Sequence, residues 1–404
     1  MNKKLVALAV AGAFALPLAA EAQTANVTLY GRLNMDLEFI KGQQTAANGG
    51  GNPTVNRVSS NSSRFGMRGT ESLGGGLNAI FQIESAISGD TGGNTLAGRE
   101  TFVGLQGSWG KFTMGKFLMP MDDLHPIFGN APTLTTSILA TAALWAQGPL
   151  SKGAGGFDAR TGNNLRYDSP NFQGFTTAWQ YSTRDSSGVP DANAGVAGDS
   201  GDHRSELRHA YVLGGNLIYA SGPLQVGVGF ERNQKVREYT VTTPAPCAAA
   251  TPCFFTAKDT DWTVAGAYDF GTIMAGFGLR LAAAYERTKY ETPTGDLKRD
   301  FWAVSGTIPV GGGKVYLFYG RANKGKGGAA DGTTIGGLVK GNDSEAQMYE
   351  ATYSYSLSPR TLLYGGYVRI HNDAKAIYTF NINGYSIAPG AKPTGIVLGI
   401  VHFF

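Results

Sequence analysis

No stretch of this chain stays apolar long enough to cross a bilayer as a helix. Its longest candidate, Leu5 to Leu16, is about a dozen residues against the ~20 required. Charge is also scarce: Asp, Glu, Lys and Arg make up 16% of 404 residues, with a net of +4, too weakly basic to suggest a nucleic-acid partner. There are only two cysteines, Cys247 and Cys253, which excludes a disulfide-dense scaffold or a Cys-rich metal site. The five histidines, at 125, 203, 209, 371 and 402, fall into no HExxH and into no recognisable spacing with Ser and Asp. The glycine-rich run after Leu73 reads as a turn before a strand rather than a phosphate loop opening a helix. These absences argue against an enzyme and leave no reason to expect a cofactor or a resident metal.

What is present begins with a leader. Lys3 and Lys4 precede the apolar run, and Ala20-Glu21-Ala22 supplies a small-residue cleavage site, so residues 1–22 read as a signal peptide. The chain has 58 glycines and 11% aromatics, and its remainder, 23–404, shows no linker-like break in composition and reads as one domain. The first segment of that domain alternates strictly. Val27, Leu29, Leu33, Met35, Leu37 and Phe39 are apolar, and Thr28, Tyr30, Arg32, Asn34, Asp36 and Glu38 fall between them. Side chains alternate faces along a strand, so one face suits lipid and the other water.

Sixteen such segments can be counted, near 27–39, 58–70, 77–87, 99–108, 111–117, 163–169, 175–184, 208–220, 224–233, 259–270, 275–290, 299–309, 314–323, 345–357, 361–372 and 394–404. Connections alternate in length: 71–76, 109–110, 170–174, 221–223, 310–313 and 358–360 are short, whereas 41–57, 117–160, 185–207, 237–258, 325–344 and 373–393 are long. In lipid every backbone polar group must be paired internally, so an exported chain without a spanning helix can span only as a closed barrel. Short turns at one end, long loops at the other and an even strand count with both termini on one side fit an outer-membrane barrel.

Six stretches carry a family resemblance: NVTLYGRLN, SRFGMRGTESLGGGLNAIFQIES, RETFVGLQGSWGKFTMGK, LRYDSPNFQGF, YSLSPRTLLYGGY and the terminal GIVLGIVHFF. In this order they resemble the general trimeric porins of Gram-negative outer membranes, most closely the betaproteobacterial type, over essentially the whole chain after the leader. The resemblance implies an all-β fold: a 16-stranded antiparallel transmembrane barrel with short periplasmic turns, long external loops and a third external loop, 119–161, folded inward as a constriction. It implies a homotrimer in contact with outer-membrane lipid and lipopolysaccharide, inserted by the barrel-assembly machinery, with Phe404 as an assembly signal. The implied function is passive diffusion of small hydrophilic solutes and ions. Two departures bear on charge: Lys116-Phe117 stands where Arg-Gln is common, and Pro120-Met121-Asp122-Asp123 stands where the loop usually has an acidic Pro-Glu-Phe motif.

Selectivity in such a pore needs charge at its narrowest point, because low-dielectric walls focus fields there. Arg32 lies on the polar face of the first strand, and Arg64 and Arg68, four apart, share a face. The resemblance matches Arg32, Arg64, Arg68 and Arg99 to basic lumen residues; Lys116, where the fifth strand meets the long loop, has an undecided facing. Asp122 and Asp123 would be the acidic side, so mild anion preference is expected, moderated by Asp36, Glu38 and Glu84 on polar faces. Arg160 and Arg166 are further basic candidates at the loop's return. Ile138–Trp145 is expected to form an amphipathic helical turn. Six apart in an exported chain, Cys247 and Cys253 read as a disulfide. The alternatives are a channel selective for one solute class, such as sugars or organic acids, and a barrel enzyme or adhesin.

Overall fold

The computed structural model describes residues 26–42, 54–130, 137–146, 156–183, 210–241, 253–272, 278–380, 382, 385 and 387–404. The leader and Cys247 lie outside these residues, as does the side chain of Cys253.

The chain forms a closed antiparallel barrel of sixteen strands. In chain order they are β1 (Asn26–Lys41), β2 in two pieces (Val55–Ser60 and Arg64–Gly74), β3 (Leu77–Ile87), β4 (Thr101–Gly107), β5 (Gly110–Leu118), β6 (Arg160–Asp168), β7 (Phe175–Ser182), β8 (Tyr211–Ser221), β9 (Leu224–Val241), β10 (Cys253–Asp269), β11 (Arg280–Thr292), β12 (Gly295–Val310), β13 (Gly313–Ala322), β14 (Ala346–Ser358), β15 (Thr361–Asn372) and β16 (Thr394–Phe403). Each pairs with its sequence neighbour, and β1 pairs with β16 to close the ring. Every expected segment is a strand. Two differences stand out. The hairpin β9–β10 runs well past the expected 233 and 259, and the external connection from β11 to β12 is only Pro293 and Thr294, because both strands continue outward.

Alternation decides the two faces. In β1, Leu29, Leu33, Leu37 and Phe39 are exposed on the outside, and Asn34, Asp36 and Glu38 are buried inside. Outside, Trp262, Tyr285, Trp302, Tyr319 and Tyr349 form a row across β10–β14, with contacts at ring separations of 5.3, 5.2 and 5.1 Å. Such rows belong at the interfacial level of an outer-membrane barrel.

Two glycine sites are set by geometry. Gly74, Gly75 and Gly76 have positive φ and make the turn after β2, which side chains resist. At the seam, Phe404 N donates to Gly31 O at 3.1 Å and Gly31 N to Phe404 O at 2.9 Å. A Cβ on Gly31 would lie 2.4 Å from the Phe404 ring, so only glycine admits this closure.

The core is not a sheet-on-sheet layer but a plug of loop against the inner wall. Met121, Leu124, Ile127, Phe128, Ile138, Leu139, Leu144 and Trp145 of the long third loop are buried against inward alanines and aromatics of β10–β16. The helical turn of this loop is not where the sequence suggested. A 3-10 turn, Asp122–Leu124, runs into a helix at His125–Phe128, whereas 138–145 contains only a 3-10 turn, Thr141–Ala143. That second segment is buried on all sides, so it has no polar face and no reason to be an amphipathic helix. The last external loop also turns inward, with Tyr378, Phe380 and Tyr385 joining the same core.

Candidate functional site: the lumen and its constriction

The long loop is fastened to a large part of the barrel wall. Near its start, Asn216 Nδ2 of β8 donates to Pro120 O at 2.8 Å and to Asp123 Oδ2 at 2.9 Å. At the end of the short helix, Phe128 O accepts from Ser305 Oγ of β12 at 2.8 Å and Tyr316 Oη of β13 at 2.7 Å. Asn130 Nδ2 donates to Glu350 Oε1 of β14 at 3.2 Å. Further on, Ala146 N donates to Glu286 Oε2 of β11 at 2.7 Å, and Arg299 Nη1 of β12 donates to Leu144 O at 2.7 Å. Arg299 and Glu286 themselves form a fully buried ion pair. The loop thus covers the inner face from β8 round to β16 and β1 and also binds Arg166 of β6, whereas Arg64 of β2 and Arg99, just before β4, keep exposed surface on the lumen side.

The open wall is basic. Arg32 and Arg64 stand directly opposite each other on β1 and β2. Arg64 Nε lies 3.6 Å from Glu84 Oε2, and Arg99 Nε lies 2.6 Å from Glu84 Oε1. Tyr30 Oη donates to Glu84 Oε2 at 3.0 Å. Arg160 is 3.9 Å from Glu100 and within electrostatic reach of Arg99. Arg32 donates to the carbonyls of Ser62 and Asn61, where β2 is interrupted, at 3.2 and 3.4 Å. Four arginines therefore share two glutamates. Arg64 and Arg99 keep 29% and 15% of their side-chain surface exposed, against 6% for Glu84. Towards the turns, Arg68 lies over the Tyr30 ring at 5.1 Å.

The other residues singled out from sequence are distributed differently. Lys116 stands opposite Thr101, at the β5–β6 register shift and on the parity of outward Met114, and joins none of the ion pairs around Glu84 among the described residues. Asp123 is bound to the wall rather than facing the arginines across a gap: Arg166 Nη2 lies 3.0 Å from it and 2.8 Å from Asp168. Asp122 sits at the loop's 3-10 turn, where burial, then the charges of Asp158 and Asp123, push its carboxyl well above the usual range. Burial likewise raises Asp158 to about 7 and lowers His125 to about 3. Asp36 and Glu38, which seemed able to offset the arginines, are covered: Tyr364 Oη donates to Asp36 at 3.0 Å, Arg57 Nε lies 2.6 Å from Glu38, and the Ile138 backbone packs on it. Phe404 is half-exposed at the seam. Glu100, Asp158 and the Arg299–Glu286 pair were not found from sequence. Parity could have placed the last pair on the inner face; nothing local marks the other two.

A family model described as Gram-negative porin matches residues 7–375. The chain belongs to the Gram-negative porin family. It is 28% identical to outer membrane porin protein 32 of Delftia acidovorans and 27% identical to an outer membrane porin protein of Bordetella pertussis, each over the full length of both chains. Its structure is similar to that of an anion-selective porin from Comamonas acidovorans, with a TM-score of 0.69, 25% identity, and coverage of 94% of this chain and all of that one. This porin is an outer-membrane protein whose barrel encloses a diffusion channel, and its relatives are channels rather than enzymes.

Proposed function

We propose that this porin is a passive diffusion channel with a moderate preference for small anions, constricted by the 119–161 loop. The observation that carries this reading is the imbalance of visible charge. Among the described residues, Arg32, Arg64, Arg99 and Arg160 face the open lumen and their carboxylate neighbours on that wall are Glu84 and Glu100, with Asp122 and Asp158 of the loop also within reach of Arg160, while the acids of the opposite wall are buried beneath the loop. Basic groups of this kind concentrate anions and repel cations at a narrow point. The anion selectivity named for the Comamonas porin supports the same direction. The decisive test is the zero-current potential of the purified protein in a planar bilayer under a KCl gradient at low salt: chloride should be favoured, and a cation-selective wild type would overturn the reading.

A narrower reading, preference for organic anions, has one observation in its favour. A cavity of about 390 Å³ at the turn end of β1–β5 is lined by Arg68, Lys111, Gln82, Gln106 and Phe102. Two cations, two amides and an aromatic face suit a carboxylate with an apolar body. Conductance block that saturates with an organic acid, and not with chloride, would favour it.

The remaining roles belong to the same proposal. Arg68 would add to the basic wall, whereas Lys116, on the parity of outward Met114, would act only through its field near the loop; Asp122 and Asp123 would form the acidic side of the constriction, with Asp123 held on the wall by Arg166. Trimeric forms among similar folds, and the exposed apolar row Leu29, Leu33, Leu37, Ile396, Leu398 and Ile400 across the β1–β16 seam, support a homotrimer. Arg287, Arg321 and Arg369, opposite the outer aromatic row, suit lipid and lipopolysaccharide phosphates. Phe404 would be the signal read by the barrel-assembly machinery, the first 22 residues a cleaved leader, and Cys247–Cys253 a disulfide. No catalytic group, cofactor or nucleic-acid partner is proposed.

A further inference from the structure

The second strand changes face part-way along. In its first piece, Val58 and Ser60 stand opposite Leu37 and Met35 of β1 on the outer side, and Arg57 and Ser59 stand opposite Glu38 and Asp36 on the lumen side. In its second piece the parity is reversed. Phe65 and Met67 are opposite Gly31 and Leu29, outside, and Arg64 is opposite Arg32, inside. Between the pairs Ser60–Met35 and Arg64–Arg32, the three residues Asn61, Ser62 and Ser63 face only Leu33 and Asn34. This is a β-bulge, one residue longer on β2 than on β1. A slip of one residue turns every following side chain to the other face. Without the extra residue, Arg64 would continue the row of Val58 and Ser60 and point at lipid.

The bulge is fastened on both sides. Asn61 N donates to Asn34 O at 2.8 Å. Ser63 Oγ accepts from Asn34 N at 3.0 Å and donates to Asn34 O at 3.2 Å, so a side chain stands in for a rung of the ladder. Towards β3, Ser63 O accepts from Ile87 N at 2.9 Å. Between these anchors Ser62 is at φ +52°, a left-handed backbone that residues other than glycine seldom adopt. The carbonyls of Ser62 and Asn61 accept from Arg32 Nε and Nη2 at 3.2 and 3.4 Å. Among the described residues Arg32 forms no ion pair; Glu84, within its electrostatic reach, is engaged by Arg64 and Arg99. A guanidinium held by a carboxylate has its charge offset. Held by neutral oxygens, it is fixed in place with its charge intact.

We propose that the Asn61–Ser63 bulge is a specificity-determining element of the constriction, with Ser62 as a positioning residue. Its left-handed backbone turns two carbonyls onto Arg32 and fixes that guanidinium in the lumen uncompensated, while the extra residue brings Arg64 to the same face. The inference rests on the anion-preferring reading above and names what sets the preference.

The experiment uses the purified mature porin in a planar bilayer under a KCl gradient at low salt. Valine, branched at Cβ, resists a positive φ, so Ser62→Val should turn the carbonyls away and let Arg32 swing towards Glu84. One positive charge ~6 Å from the ion is worth about threefold in permeability ratio, and the chloride-to-potassium ratio should fall by that factor. In an Arg32→Gln background Ser62→Val should change the ratio no further, because the two residues act as one unit. Ser62→Asn, whose side chain tolerates the left-handed region, should rescue the wild-type ratio. A ratio unmoved by Ser62→Val, or lowered equally with and without Arg32, would refute the positioning role and leave the anion reading standing. So would an Arg32→Gln porin with the wild-type ratio. A wild type that favours potassium would overturn the reading itself and this inference with it. Should the valine variant fail to insert, Ser63→Ala, which removes the hydroxyl bridging to Asn34, takes its place in the same cycle. An effect of that variant that is independent of Arg32 would sink the proposal.

Discussion

Replacing Arg64 by Glu tests the charge reading most directly. The wall carries four arginines against two glutamates, a net of two positive charges close to the passing ion. Two unit charges ~6 Å apart interact by about 0.7 kcal/mol in water, and a Debye length of ~8 Å roughly halves this. Two uncompensated charges therefore favour an anion by about 0.7 kcal/mol and disfavour a cation by as much. The difference of ~1.4 kcal/mol is tenfold in permeability ratio. Arg64→Glu removes one positive charge and adds one negative, bringing the local net to zero and the ratio to about one. Arg64 is partly exposed and stands 3.6 Å from Glu84, while Arg99 keeps its closer contact with that acid, so the wall should hold its shape. In a planar bilayer under a tenfold KCl gradient, the zero-current potential should fall from several tens of millivolts towards zero. The wild-type preference should itself shrink in molar salt. A variant whose permeability ratio stays within twofold of the wild type would refute the argument, since the field at the constriction would then come from elsewhere.

Asp123→Asn should free Arg166 from one of its two carboxylates and loosen the start of the loop, raising open-channel noise and shifting selectivity further towards anions in single-channel recordings. Arg299→Met leaves Glu286 buried without its partner and should cost about 3–5 kcal/mol, read as a lower unfolding midpoint in denaturant. His125, lowered to about 3 by burial against Phe128 and Trp145, stays neutral in the folded loop while an unfolded histidine takes up a proton. Its contribution to loop packing is therefore full above pH ~6.5 and lost as pH falls towards 3; tryptophan emission should shift over that window in wild type and far less in His125→Leu. Deleting Phe404 removes two seam hydrogen bonds and the ring over Gly31, and should lower the amount of heat-modifiable barrel in the outer membrane; normal amounts would count against an assembly role. Thiol labelling of denatured, unreduced protein should find no free cysteine, and removing the pair should alter stability by ~2 kcal/mol at most.

The barrel itself was legible in the sequence because its cause is local. A strand with one face to lipid and one to water must alternate, so β1 announces its register through Leu33, Leu37 and Asp36 alike, and the turn glycines 74–76 mark where β2 reverses into β3. Strand count and most lumen-facing positions follow from that period of two, and closure from the need to pair every backbone group in lipid; Lys116, whose facing the pattern left undecided, needed the register of β4 and β5. What alternation cannot specify is what lies against the inner face, because that depends on where a long loop comes to rest. Asp36 and Glu38 have the same parity as Arg32, yet the loop seals the two acids and leaves the arginine wall open. Asp123 reads as an acidic pole of the pore, yet Arg166 and Asn216, 43 and 93 residues away in the chain, bind it to the wall. Sequence by itself determined the membrane-spanning ladder; only the tertiary structure decided which charges remain in view of a passing ion, since burial is a property of contacts between distant segments and has no period to read.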